Sequence, residues 1–152
     1  MEWFRGGTCA EVIALRLDPD DDVLESVAAL AAEADIRAGA VVSGMGTLKA
    51  ARLHWVTTTG YPAVEEFRDF ACPLEIAGIS GIIADHRPHL HTCISDTAQT
   101  YAGHLEPGCT VLYLAEIVVV KFGGIALERV PHPEKGTPML RRMPGPPGDG
   151  KP

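Results

Sequence analysis

His89-Leu90-His91-Thr92-Cys93-Ile94-Ser95-Asp96-Thr97-Ala98-Gln99-Thr100-Tyr101-Ala102-Gly103-His104-Leu105 sets two histidine-bearing segments on either side of a short polar break. Both of its ends are strand-like, and the polar Asp96-Thr97-Ala98-Gln99 between them has the length of a hairpin loop. A four-residue loop there fixes the register: Ser95 opposite Thr100, Cys93 opposite Ala102, and His91 opposite His104. Side chains alternate along a strand, so His89 and His91 share a face, and the hairpin brings His104 to that same face.

Working outward, most of the chain repeats this pattern of short-linked strands. Glu11–Leu17, Ala40–Ser43, Leu48–Thr58, Val64–Phe70, Leu74–Ala84, Pro88–Ser95, Thr100–Leu105, Val111–Lys121 and Ile125–Val130 read as strands. Gly44-Met45-Gly46 reads as a tight turn rather than a phosphate loop, because no GxGxxG spacing or P-loop lysine accompanies it. Gly78 and Gly81 suggest bulges or a close backbone approach in their strand. One helix stands out. Asp22 and Glu25 form a capping-box variant, and Val23, Leu24, Val27, Leu30, Ala31 and Ala34 line one helical face, ending near Asp35. One helix among many short-linked strands predicts an α+β fold with a mostly antiparallel sheet and the helix packed on it.

The domain is expected to span 8–130. Residues 131–152 hold seven of the twelve prolines and four glycines, including Pro144-Gly145-Pro146-Pro147-Gly148, and read as a flexible Pro/Gly-rich tail. At 152 residues the chain is one domain by size, able to bury roughly 70% of its unfolded surface without a disulfide. Cys9, Cys72, Cys93 and Cys109 form no CxxC pair, which fits reduced thiols in a cytoplasmic protein. No signal peptide is read at the N-terminus, and the longest apolar run, Val111 to Val120, is too short to span a bilayer. The net charge is −7. The tail carries +2, which leaves −9 on the rest and no phosphate-binding stripe.

Three neutral imidazoles converging from one hairpin suit a divalent transition ion, Zn²⁺ first, with a fourth position open to water or a small polar substrate. Solvated or hydrogen-bonded histidines are the alternative reading. Cys93 falls on the same predicted face and is a candidate fourth ligand, although such a cysteine more commonly fills a core. If Glu106-Pro107-Gly108-Cys109 makes a second hairpin, Val111 pairs with His104 and Tyr113 joins the histidine face as a candidate proton donor. Glu116 then faces away, and Glu75 marks the edge of its strand. His86 reads as a turn residue, and His54 and His132 as structural or solvated.

Arg16-Leu17-Asp18-Pro19, Val41-Val42-Ser43-Gly44-Met45-Gly46, Pro73-Leu74-Glu75-Ile76, Ser80-Gly81, His89-Leu90-His91, Gly103-His104-Leu105 and Ala115-Glu116-Ile117-Val118 occur in an order that resembles the plant-and-prokaryote-conserved domain family, over about residues 10 to 130. The resemblance implies a mostly antiparallel sheet with a helix packed on it and a homotrimer whose subunits pack through their sheets. It also implies a metal, usually zinc, on His89, His91 and His104. The same domain accompanies AT-hooks in plant nuclear proteins, so a DNA-binding role follows by analogy. Arg141-Arg142-Met143-Pro144 lacks the glycine of the Arg-Gly-Arg-Pro core, and the acidic domain disfavours nucleic acid. Three functions are therefore carried forward: a metal-dependent hydrolase or lyase, a DNA-binding protein, and a non-catalytic assembly or regulatory module.

Overall fold

One long strand organises the molecule. In the computed structural model, which describes residues 1–5 and 7–144, the elements are β1 (Cys9–Leu17), α1 (Val23–Glu33), β2 (Ala38–Val56), β3 (Glu65–Phe70), β4 (Leu74–Ala84), β5 (Arg87–Ser95), β6 (Thr100–Leu105), β7 (Thr110–Phe122), β8 (Leu127–Pro131) and β9 (Pro138–Arg142). β3 and then β4 run antiparallel along β2, from Val56↔Glu65 to Ala38↔Ala84. β6 and then β7 do likewise, from His54↔His104 to Gly39↔Lys121. β5 bridges β4 and β6, so β2, β4, β5 and β6 form a closed circuit, with β1 added outside β7. The fold is α+β, mostly antiparallel, with a single helix among the described residues.

The core fills this circuit and the space beneath α1. Leu53, Ile83, Leu90, Ile94, Val111 and Val119 are fully buried there, against Val23, Val27 and Ala31 of the helix. Asp22 caps α1 as the sequence suggests: its Oδ1 accepts the Leu24 and Glu25 N–H groups at 3.0 Å. Its Oδ2 also accepts the Gly108 N–H at 2.6 Å, which ties the start of the helix to the turn before β7. The helix ends in a Schellman motif. Ile36 N–H donates to Ala31 O and Asp35 N–H to Ala32 O, with Asp35 at φ 45. No helix among the described residues is long and apolar enough to cross a membrane.

Three expectations are corrected. Gly44-Met45-Gly46 is no turn: Gly44, Met45 and Gly46 pair with Ile117, Glu116 and Ala115 inside β2. Gly46 sits at φ 147, where an added Cβ would lie 2.4 Å from Leu114 O, so the glycine serves a bulge and a close strand approach. The expected β6–β7 hairpin also does not form. The chain leaves β6 through Glu106, whose N–H donates to Arg52 O, and β7 resumes the same ladder on β2, placing Val111 opposite Leu48. Finally, the expected tail boundary at 130 falls inside β8. β8 and β9 pair from Leu127↔Arg142 to Pro131↔Pro138, and Leu127 and Leu140 pack on Ala38 and Ala84 in a second small core. Residues 145–152, most of the Pro144–Gly148 run among them, lie outside the described residues.

Candidate metal centre

In β5, Leu90, Thr92 and Ile94 point into the core, and the alternation turns His89 and His91 outward. The β5–β6 register is the one the four-residue loop predicts, with Ser95↔Thr100, Cys93↔Ala102 and His91↔His104. Ring nitrogens of His89, His91 and His104 all lie within 4.8 Å of one another. The His104 ring stands edge-on to both others, with centroids 4.6 Å from His89 and 5.3 Å from His91.

His54, read from the sequence as having no partner, belongs to this cluster. The β2–β6 ladder sets it opposite His104, with ring centroids 4.3 Å apart. Its Nδ1 is 2.7 Å from Glu106 Oε1, and Glu106 Oε1 is 3.6 Å from His104 Nε2. His54, His104 and Glu106 thus form a second group of possible ligands. The sequence signal for His54 is slight: a histidine in a strand that could flank the hairpin.

The histidines line a cleft of about 910 Å³. Its walls include Trp55, the 62–63 segment between β2 and β3, and Lys135 to Pro138 of the β8–β9 turn. Trp55 lies across Gly103, where a Cβ would come 3.0 Å from the indole, and its Nε1 donates to Ala102 O. The hairpin that supplies the far wall is clamped by Arg129, whose half-buried guanidinium donates to Ile82 O and Arg87 O.

Two further candidates stand elsewhere. Cys93 is half-buried in a neighbouring groove with Ser43 and Ser80 and joins neither ligand group. Tyr113 is 71% exposed on β7 and its N–H donates to Thr47 Oγ1; it does not line the histidine cleft, because β7 pairs with β2 rather than β6. His86, at φ 64 beside Asp85 at φ 47, forms the two-residue turn between β4 and β5, and its Nε2 is 2.7 Å from Asp35 Oδ1.

Burial holds the His104 imidazole down at about 4, and the nearby His89, His54, His91 and Arg129 add to the effect. Burial lowers His89 as well, followed by Arg129 and the neighbouring histidines. Both are therefore neutral at pH 7, the form that coordinates a metal. In metal-free protein the unfolded chain takes up a proton on His104 near 6.5 and the folded chain only near 4. The stability contribution is thus complete above about pH 6.5 and is lost progressively as pH falls towards 4. The urea midpoint of chelator-treated protein is expected to drop across that window and to drop less in His104→Ala; identical pH profiles would refute this account.

The profile of the Plants and Prokaryotes Conserved (PCC) domain matches residues 4–123. The bifunctional protein GlmU of Synechococcus sp. (strain JA-2-3B'a(2-13)) is 33% identical over 135 residues, 88% of this chain and 20% of that protein. The chain spans about a fifth of the length of the curated relatives it matches. Among solved structures, the metal-containing protein AF0104 of Archaeoglobus fulgidus is similar with a TM-score of 0.79 and 24% identity, covering 93% of this chain and 99% of that one. A Bacteroides thetaiotaomicron protein provisionally named as DNA-binding gives a TM-score of 0.74 at 18% identity, covering 90% and 96%.

Proposed function

This chain belongs to the Plants and Prokaryotes Conserved (PCC) domain family, and from that premise we propose that it is a homotrimeric protein holding a divalent transition ion, zinc foremost, on His89, His91 and His104. The observation that carries the proposal is the gathering of the three ligand nitrogens within 4.8 Å at a cleft of about 910 Å³. Three neutral nitrogen ligands leave a tetrahedral zinc ion one position for water or substrate. A bound ion lowers the pKa of that water towards neutrality and polarises a carbonyl or phosphoryl oxygen, the chemistry of a hydrolase or lyase acting on a small polar substrate. The metal-containing Archaeoglobus protein of the same fold supports the reading.

Self-association, which the trimer requires, has a separate observation in its support. Val12, Val42, Met45 and Leu114 are 44–64% exposed on strands β1, β2 and β7. Apolar side chains clustered on one outer sheet face are characteristic of a surface that meets another chain. Elemental analysis across a size-exclusion peak tests both parts. The expected result is a trimer with bound zinc, and loss of ion from the three-histidine position in His89→Ala and His91→Ala. A metal-free protein that takes up no Zn²⁺, Mn²⁺ or Ni²⁺ would refute the metal reading, and a monomer of full metal content would refute the trimer.

The name of the Bacteroides protein favours DNA as an alternative ligand. The charge of −7 opposes it, since an acidic surface repels phosphate. Gel shifts on AT-rich duplex at low salt decide: retention there, lost as salt rises, is the result that would establish this alternative.

A further inference from the structure

Three histidines leave His54 and Glu65, which line the same cleft, and Glu106, which stands behind His54 and His104, without a role. Glu106 Oε1 lies between two imidazoles, 2.7 Å from His54 Nδ1 and 3.6 Å from His104 Nε2. On the other side of the His54 ring, Nε2 is 3.9 Å from Glu65 Oε1. The side chains of His54, His104 and Glu106 are only 15%, 19% and 24% exposed, so these groups are largely withdrawn from water.

We propose that His54, His104 and Glu106 form a second cation position adjoining the three-histidine one, taking a divalent transition metal. This inference rests on the reading of the cleft as a metal site and extends it. Two histidines and one glutamate are a donor set that zinc accepts with an open fourth position. The ion replaces the hydrogen bond that now joins His54 Nδ1 and Glu106 Oε1 at 2.7 Å, and the hydrogen of that bond leaves to solvent as a proton. Glu65 Oε1, 3.9 Å from the other nitrogen of His54, stands on the side from which a carboxylate orients a metal-bound imidazole once it closes to hydrogen-bonding distance. Charge points the same way: Glu65 and Glu106 both stand by His54 and together balance a second dication. The two triads have His104 alone in common, so filling both positions at once makes His104 a bridging imidazolate, one ring nitrogen to each ion, with its ring proton released to solvent.

The test is zinc stoichiometry by equilibrium dialysis of the full chain against Zn²⁺, for wild type, His89→Ala/His91→Ala, and the pair His54→Ala and Glu106→Gln combined. Far-ultraviolet circular dichroism shows that each protein is folded, and the near-isosteric Glu106→Gln alone provides a variant with minimal packing change. The expected result is two ions per wild-type chain and one in each double variant. One ion per wild-type chain, untouched by His54→Ala/Glu106→Gln and by Glu106→Gln alone, overturns the second position and leaves the three-histidine site standing. One ion that survives His89→Ala/His91→Ala and is lost with Glu106→Gln does the reverse. No ion in any of the proteins removes both.

Discussion

His104→Ala is expected to cost more metal affinity than any other single change at the cleft, a loss of about 100-fold or more. Its ring is the partner common to both ligand groups. Even substitutions that act through a ligand's neighbours cost about 10–100-fold in metal affinity, and removal of a ligand exceeds them. Without it the first group retains two histidines and the second one histidine and Glu106. Neither remainder closes a tetrahedral shell. Because the His104 side chain lies on the outer face of β6 while Gly103 and Leu105 face inward, the fold is expected to survive. Calorimetric titration with Zn²⁺ reads the affinity, and His132→Ala, at the β8–β9 turn, is the matched control expected to bind as wild type. Wild-type affinity in His104→Ala would refute the role of the shared imidazole.

Leu53→Ala is expected to have the largest effect on stability, about 2–5 kcal/mol. Leu53 is 0% exposed and pairs with Leu105, 1% exposed, where β6 closes the strand circuit on β2. On its other edge it meets Arg68 of β3. The lost methyl groups leave a cavity between strands held by ladders on both sides, which cannot collapse freely. A domain of this size has roughly 5–15 kcal/mol in all, so the change removes a large part of it. The measurement is the urea midpoint with metal chelated, so that binding does not mask the loss. Thr97→Ala, in the exposed β5–β6 loop, is expected to shift stability by no more than about 0.5 kcal/mol. Equal midpoints for the two variants would show that the closure point bears no special load.

The parts of this architecture that are legible in the sequence are the local ones. The β5–β6 hairpin follows from a four-residue loop and the period of two, and the same arithmetic brings His89, His91 and His104 together. The limits of α1 are written in Asp22 and Asp35, whose side chain and backbone, respectively, satisfy the helix ends. What escapes a reading of the sequence is the course of β2. Its glycines look like a turn, yet Gly44 and Gly46 both pair with β7 inside a 19-residue strand, Gly46 next to a shift of register. From that error the others follow. Once β2 is cut short, nothing sets His54 beside His104, and β7 is paired with β6, which moves Tyr113 to the wrong place. The relevant partners are some fifty residues apart, and neither loop length nor periodicity encodes them. The tail misleads for another reason. Proline and glycine usually mark loss of structure, but Gly136, at φ 72, and Pro138 here shape the turn of a hairpin whose Leu127 and Leu140 find a core elsewhere.

That hairpin separates two kinds of inheritance. All the histidines and carboxylates of the cleft lie within residues 4–123, the stretch that matches the family profile, whereas Lys135 to Pro138 lie beyond it. A change in the length or composition of the β8–β9 turn would reshape that wall of the cleft without disturbing any ladder that carries one of its histidines. Two proteins of this family could therefore keep the same cluster of histidines and admit different molecules to the cleft beside it.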